Sequence, residues 1–248
     1  MRSNTSTNRS LWLFSTAILF IVFQSTAAPA QKHRIPSGGR VAIVIDERLS
    51  ALRAAPNLSA RLDQRLGRGR FVAIIGTERS QDGLTFYQVK VSRRKRGWVQ
   101  SNALVSPARK ADDERLLRLI RGSEDFDLIA RARIFLDTFP QSSLRPAVLL
   151  IYGNAAEEAG SRLTRDAGRR LNNGEMIAGG APEFSYFMNF NELDRYNRQG
   201  IRYLFDPATK QFHYDGAAWR EILRRYPHSP EAAEARKRLG ATATPMRQ

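Results

Sequence analysis

Between Val41 and Val99 four short apolar or aromatic runs follow one another, each cut off by glycine or by a basic turn. Val41-Ala42-Ile43-Val44-Ile45 is the first. Phe71-Val72-Ala73-Ile74-Ile75 is the second, introduced by Gly67-Arg68-Gly69 and closed at Gly76. Phe86-Tyr87-Gln88-Val89-Lys90-Val91 alternates in its later part, as a half-buried strand does. Gly97-Trp98-Val99 comes after the basic turn Ser92-Arg93-Arg94-Lys95-Arg96. Short strands this closely spaced predict a small all-β sandwich or barrel over residues 40–106.

From residue 107 the spacing becomes helical. Asp112 to Arg121 places Leu116, Leu117, Leu119 and Ile120 on one side. Ser123 reads as an N-cap with Glu124 and Asp125 in the first turn, and Phe126, Ile129, Ala130, Ile134 and Phe135 carry the pattern to Phe139. Pro140 ends that helix. Ser142 or Ser143 caps the next one, which has Pro146 in its first turn and an apolar face through Val148, Leu149 and Tyr152. Asn191 to Asn197 predicts a short helix ended by Gly200. Residues 201–205 and 210–214 read as two strands joined by the turn residues Asp206-Pro207-Ala208-Thr209. Pro182 to Asn191 is aromatic-rich and fits either a core lid or a ligand groove. Trp219, Ile222, Leu223 and Tyr226 then form an apolar face stopped by Pro227, with Ser229 as cap and Pro230 at the first position of a last helix. The domain map expected is a helical domain over 107–240 with a β-hairpin near 201–214, and a disordered tail over 241–248.

The residues before the sheet read as an address. Arg2 and Arg9 precede the apolar run Leu11 to Phe23, and Ala27-Ala28-Pro29-Ala30 follows. That order is the signature of a secretory signal peptide over 1–30, cleaved after Ala30. The run of 13 residues falls short of the ~20 that a spanning helix needs. Residues 31–39 read as a linker. The expected location is therefore periplasmic or secreted, with no transmembrane span once the signal is removed and no nucleic-acid partner. Export without a single cysteine also rules out disulfides, thiolate metal sites and cysteine nucleophiles.

Two stretches resemble known families. Leu49-Ser50-Ala51-Leu52-Arg53-Ala54-Ala55-Pro56, Leu66-Gly67-Arg68-Gly69, Tyr87-Gln88-Val89, and Gly97-Trp98-Val99 followed by Leu104 occur in the order seen in bacterial SH3-like (SH3b) domains. The first piece has one extra residue before its hydrophobic–Arg pair. The resemblance covers residues 40–106 and implies an SH3-like barrel that binds cell-wall peptide or glycan, or serves structure alone. On that reading Tyr87 and Trp98 form an aromatic platform, or Trp98 is half-buried core; Arg53 contacts ligand, or braces its loop. Phe135-Leu136…Phe139-Pro140-Gln141-Ser142 and Ile222-Leu223…Tyr226-Pro227-His228-Ser229, 87 residues apart, resemble the helix–helix turn of tetratricopeptide-type repeats. An irregular bundle is the other reading of that half.

The charge balance is unusual. Forty Lys and Arg oppose 24 Asp and Glu, a net +16, so the surface attracts polyanions. Arg93, Arg94, Lys95 and Arg96 form the densest run, either a polyanion contact or a solvated hairpin tip.

Nothing in the sequence gathers a catalytic group. His33, His213 and His228 have no metal-ligand spacing, no Gly-x-Ser-x-Gly elbow exists, and Asp215 and Glu221 carry no supporting motif for a carboxylate pair. The expectation is a non-enzymatic envelope protein without metal or cofactor, binding wall material through the sheet and an envelope protein through the helices. A cell-wall hydrolase component and a charge-driven polyanion binder are the alternatives.

Overall fold

The apolar run after the linker is buried on both of its faces, and that single strand decides the architecture. The computed structural model describes residues 38–243. Residues 1–37, with the expected signal segment and linker and His33, and residues 244–248 lie outside them. Strand β1 (Arg40–Val44) sends Ala42 and Val44 into one apolar core, while Ile43 and Ile45 enter a second one with the helices. Alternation along a strand puts neighbours on opposite faces, so a continuous run of Val, Ala and Ile is what a strand between two cores requires.

Around β1 stand β2 (Ala51–Arg53), β3 (Leu62–Arg65), β4 (Phe71–Arg79), β5 (Thr85–Lys90), β6 (Arg96–Gln100) and β7 (Leu104–Val105). Their order is β3-β2-β6-β5-β4-β1-β7, and all pairings are antiparallel. Among the described residues no ladder joins β3 to β7, so the expected small barrel is seen as an antiparallel sheet without closure. The reason lies at β7. Its Val105 belongs to the helical core, and its Leu104 carbonyl accepts from the Arg115 guanidinium of helix α1 (Asp112–Arg121). That edge is covered by a helix instead of a strand. Gly97 serves close packing: a Cβ there would lie 2.8 Å from the Arg53 carbonyl oxygen and from Leu52. β2 can cross β6 only because that position has no side chain.

Helix α2 (Asp125–Thr138) and helix α3 (Arg145–Arg170) form a hairpin about Phe139-Pro140. Helix α7 (Ala217–Arg225) and helix α8 (Glu231–Ala243) form a second about Tyr226-Pro227, and α3 packs against both. Between them lie α4 (Asn173–Gly179), α5 (Glu183–Met188), α6 (Leu193–Asn197) and the hairpin of β8 (Tyr203–Asp206) and β9 (Gln211–Tyr214). The turn Asp206 to Thr209 is closed by the Asp206 carboxylate, which accepts from the Ala208 amide at 2.9 Å and the Thr209 hydroxyl at 2.7 Å. Glu157 of α3 accepts the Tyr214 amide at 2.8 Å and lies 3.2 Å from His213 Nδ1, pinning the hairpin to the long helix.

Four local expectations change. Neither Ser142 nor Ser143 is the N-cap of α3: Leu144 holds that position without a side-chain cap bond, and the Ser142 hydroxyl accepts from the Leu144 amide at 3.2 Å. Ser123 does not cap α2; its hydroxyl donates to the Leu119 carbonyl and accepts from Arg131, a buried guanidinium that needs an acceptor. Ser229 does not cap α8 either. Its hydroxyl has no hydrogen-bond partner among the described residues, and the helix begins after Pro230, at Glu231. Finally, α8 runs to Ala243, into the stretch expected to be tail, because no residue from Gly240 to Ala243 stops it before Pro245.

The sheet and the helical half meet at an ionic cluster. Arg48 grips Asp46 through Nε at 2.9 Å and Nη2 at 2.6 Å, and Arg68 grips Asp127 of α2 at 2.7 and 3.0 Å. These charge-assisted bonds hold both carboxyls below their ordinary pKa, against the opposing effect of burial. A carboxyl whose pKa is lower in the folded than in the unfolded chain adds stability above the unfolded value. That contribution disappears as pH falls through the folded one. The melting midpoint should therefore drop steeply below about pH 4. Thermal melts across pH should show a shallower acid drop in a D46N/D127N variant; an unchanged slope would mean the cluster does not set acid stability.

Candidate functional site

The register of β2, β6 and β5 sorts the sequence's candidate residues onto two different faces. Arg53 pairs with Trp98, and Trp98 pairs with Gln88. Tyr87 pairs with Val99, one position along, so its ring points the other way. Tyr87 is buried in the sheet core, and its hydroxyl accepts from Arg109 at 2.6 Å while that guanidinium lies 5.7 Å from the ring centre. Tyr87 and Trp98 thus form no common platform.

On the outer face a cross-strand row remains: Leu62 of β3, Arg53 of β2, Trp98 of β6 and Gln88 of β5. Leu62 is exposed, and Trp98 is half-buried and outside the apolar cores. Arg53 Nη1 donates to the Ala60 carbonyl at 2.7 Å, bracing the loop between β2 and β3. Arg53 therefore holds the edge of the row in place. Gly76 extends the row on β4 opposite Gln88 and leaves that end of it low.

Next to this row the β5–β6 hairpin carries its cations. Lys95 is tied down: its Nζ donates to Gln64 at 2.7 Å, and its amide donates to the Ser92 hydroxyl at 3.1 Å. Arg93, Arg94 and Arg96 are exposed. Charge is not evenly divided along the chain. Residues 40–106 hold 13 Lys and Arg against five Asp and Glu, net +8, whereas residues 107–240 hold 22 against 19, net +3.

In the helical half, the aromatic segment is both lid and groove wall. Phe187 of α5 is buried and stacks on Phe205 at 4.5 Å. Tyr186 and Phe190, with Arg170 and Leu171 at the end of α3, line an open cleft of about 580 Å³. Among its polar groups Arg170 is already paired with Glu192 at 3.0 Å.

The carboxylates weighed for catalysis are engaged elsewhere. Glu221 accepts from Arg145 at 2.9 Å, and Asp215 accepts the Ala217 amide at 2.9 Å at the start of α7. His228 is exposed, and no group of three or more His, Asp or Glu residues among the described residues could hold a metal ion. No described helix is long and apolar enough to cross a membrane.

The molecule is an antiparallel sheet interlocked with a helical half, presenting one aromatic and basic outer sheet face. No protein-family model, curated protein or solved structure matches the chain.

Proposed function

We propose that this chain is an exported, non-enzymatic binding protein of the bacterial cell envelope. Its sheet module, of SH3-like type, takes up cell-wall peptide or glycan on the outer face, and its helical half docks an envelope protein. The observation that carries the first part is Trp98: a large ring left partly exposed at the centre of the row from Leu62 to Gln88, outside either core. An aromatic ring between a braced guanidinium and a carboxamide offers an apolar surface with polar groups on both sides, the usual make-up of a recognition face. Phe184 and Met188 support the second part. They are exposed one helical turn apart on α5, and Ile177 on α4 is exposed as well.

Retention of the chain from residue 31 onward on purified peptidoglycan tests the reading. W98A should lower the retained affinity by about tenfold while shifting the melting temperature little, since the ring belongs to neither core. No retention of the parent chain, or retention indifferent to W98A, would overturn the assignment of that face. The interlocked core makes the whole chain the right reagent: cutting at residue 106 would expose Ile43, Ile45 and Val105.

A further inference from the structure

We infer that the ligand of the outer sheet face is a linear anionic glycan, held at Lys90, Arg93, Arg94 and Arg96 beside Trp98; this rests on the reading of that face as a binding surface.

Lys90 and Arg96 stand directly opposite each other across β5 and β6. Like charges in that relation destabilise a sheet. No carboxylate among the described residues pairs with either of them, or with Arg93 or Arg94. Arg48, Arg68, Arg109, Arg115 and Arg145 each have an acidic partner, while single cations such as Arg40, Arg70 and Arg79 have no ion pair among the described residues either; the hairpin differs in how many such cations it gathers. Residues 1–37 and 244–248 contain no Asp or Glu side chain that could supply one. Five cations, Lys90, Arg93, Arg94, Lys95 and Arg96, therefore share one hairpin without a carboxylate partner among the described residues, and an external anion would offset their repulsion. The hairpin is also firmly built. The Val91 amide donates to the Lys95 carbonyl at 2.9 Å, and the Lys95–Gln64 bond ties the tip to β3. Cations held on a closed hairpin lose little freedom on binding.

The neighbouring residues select among polyanions. A bilayer surface calls for apolar side chains at the tip that could enter it, but the tip reads Ser92-Arg93-Arg94-Lys95. Single-stranded nucleic acid calls for several aromatics on which successive bases stack, and the outer row offers Trp98 alone. One ring, a carboxamide at Gln88 and a cationic cluster suit a chain of sugars. One sugar ring lies on the indole, and carboxylate or phosphate groups along the chain meet the hairpin.

Binding of the chain from residue 31 to polygalacturonate, followed by titration calorimetry, tests this. Neutral dextran, phosphatidylglycerol vesicles and single-stranded DNA serve as competing probes. Polygalacturonate should bind, with an affinity that falls between about 50 and 200 mM salt, and dextran should not. An R93Q/R94Q/R96Q variant, which leaves Lys95 and the hairpin closure intact, should bind about tenfold to a hundredfold more weakly and with a flatter salt dependence. W98A should weaken binding and leave the salt dependence unchanged. Equal binding of dextran, parental affinity in the triple variant, or tighter binding of vesicles or DNA would each overturn the inference. If the triple variant keeps full retention on peptidoglycan while W98A loses it, the binding face stands and the anionic ligand falls. If neither variant changes retention, both fall.

Discussion

Trp219→Ala should cost about 4 kcal/mol and lower the melting temperature by about 10 °C. Trp219 is fully buried on α7, where it packs into α3 so closely that a Cβ on Gly153 would lie 2.5 Å from its Nε1. Tyr214 of β9 meets it edge-on at 5.3 Å, and the Tyr214 hydroxyl accepts the Ala218 amide at 2.8 Å. One side chain therefore joins the long helix, the inserted hairpin and the second helical hairpin. Its indole N–H has no hydrogen-bond partner among the described residues, so its contribution comes from apolar contact and not from polar pairing. Truncation leaves a cavity that α3 cannot close, because Gly153 has no side chain to move into it. Urea denaturation with an unchanged m-value would measure the loss. A loss below about 1 kcal/mol would mean that α7 does not depend on this contact. Against a large drop here, the small one expected for Trp98 separates the tryptophan that holds the fold from the one proposed to meet a ligand.

The elements that local chemistry dictates were legible in the sequence. Pro140 and Pro227 stop helices after aromatic residues because proline lacks the amide that the next turn needs. β5 shows its alternation from Tyr87 to Lys90, where one face is core and the other is partly exposed, whereas Phe86, of the same parity as Gln88, is fully buried. Legibility failed where two parts of the chain meet. The run Val41 to Ile45 reads as a strand, but only tertiary structure shows that alternate residues serve different cores. Ser123 has every local mark of an N-cap, and a buried guanidinium eight residues later takes its oxygen instead. The length of α3, out to Arg170, was not legible either. Its inner face from Gly153 through Ala156, Ala159 and Gly160 is built of small residues, whose apolar signal is weak although they allow Trp219 and β9 to approach.

The candidate site was legible in its members and not in its grouping. Sequence brought forward Trp98, Arg53 and the basic turn. It also brought forward Tyr87, which the register turns inward onto Arg109. It passed over Gln88, Leu62 and Lys90, whose roles depend on which residue each one faces across a ladder. The opposition of Lys90 and Arg96 is invisible along the chain, where six positions separate them.

Arg131→Ala should cost about 3 kcal/mol and weaken the sheet and the helices together. Arg131 sits on α2 with little exposure, donating from Nη1 to the Ser123 hydroxyl at 2.6 Å and from Nε to the Ile45 carbonyl at 3.3 Å. Asp127 lies 3.8 Å away. Burial pulls its pKa below the ordinary guanidinium value, and nearby Arg68 adds to the effect, with Asp127 and Asp46 opposing both. Removing the side chain leaves a buried carbonyl at the end of β1 without that donor and takes one cation from a cluster holding two carboxylates. Arg131→Met keeps much of the apolar stem, so it should recover part of the loss while the polar part remains. Ile43 and Ile45 belong to the helical core, so both variants should unfold in one transition, with sheet and helix signals moving in step. A methionine variant as stable as the parent would show that the guanidinium contributes nothing beyond its volume. Two separate transitions would show that the strand shared between the cores does not couple them, and the sheet would then be free to fold as a module of its own.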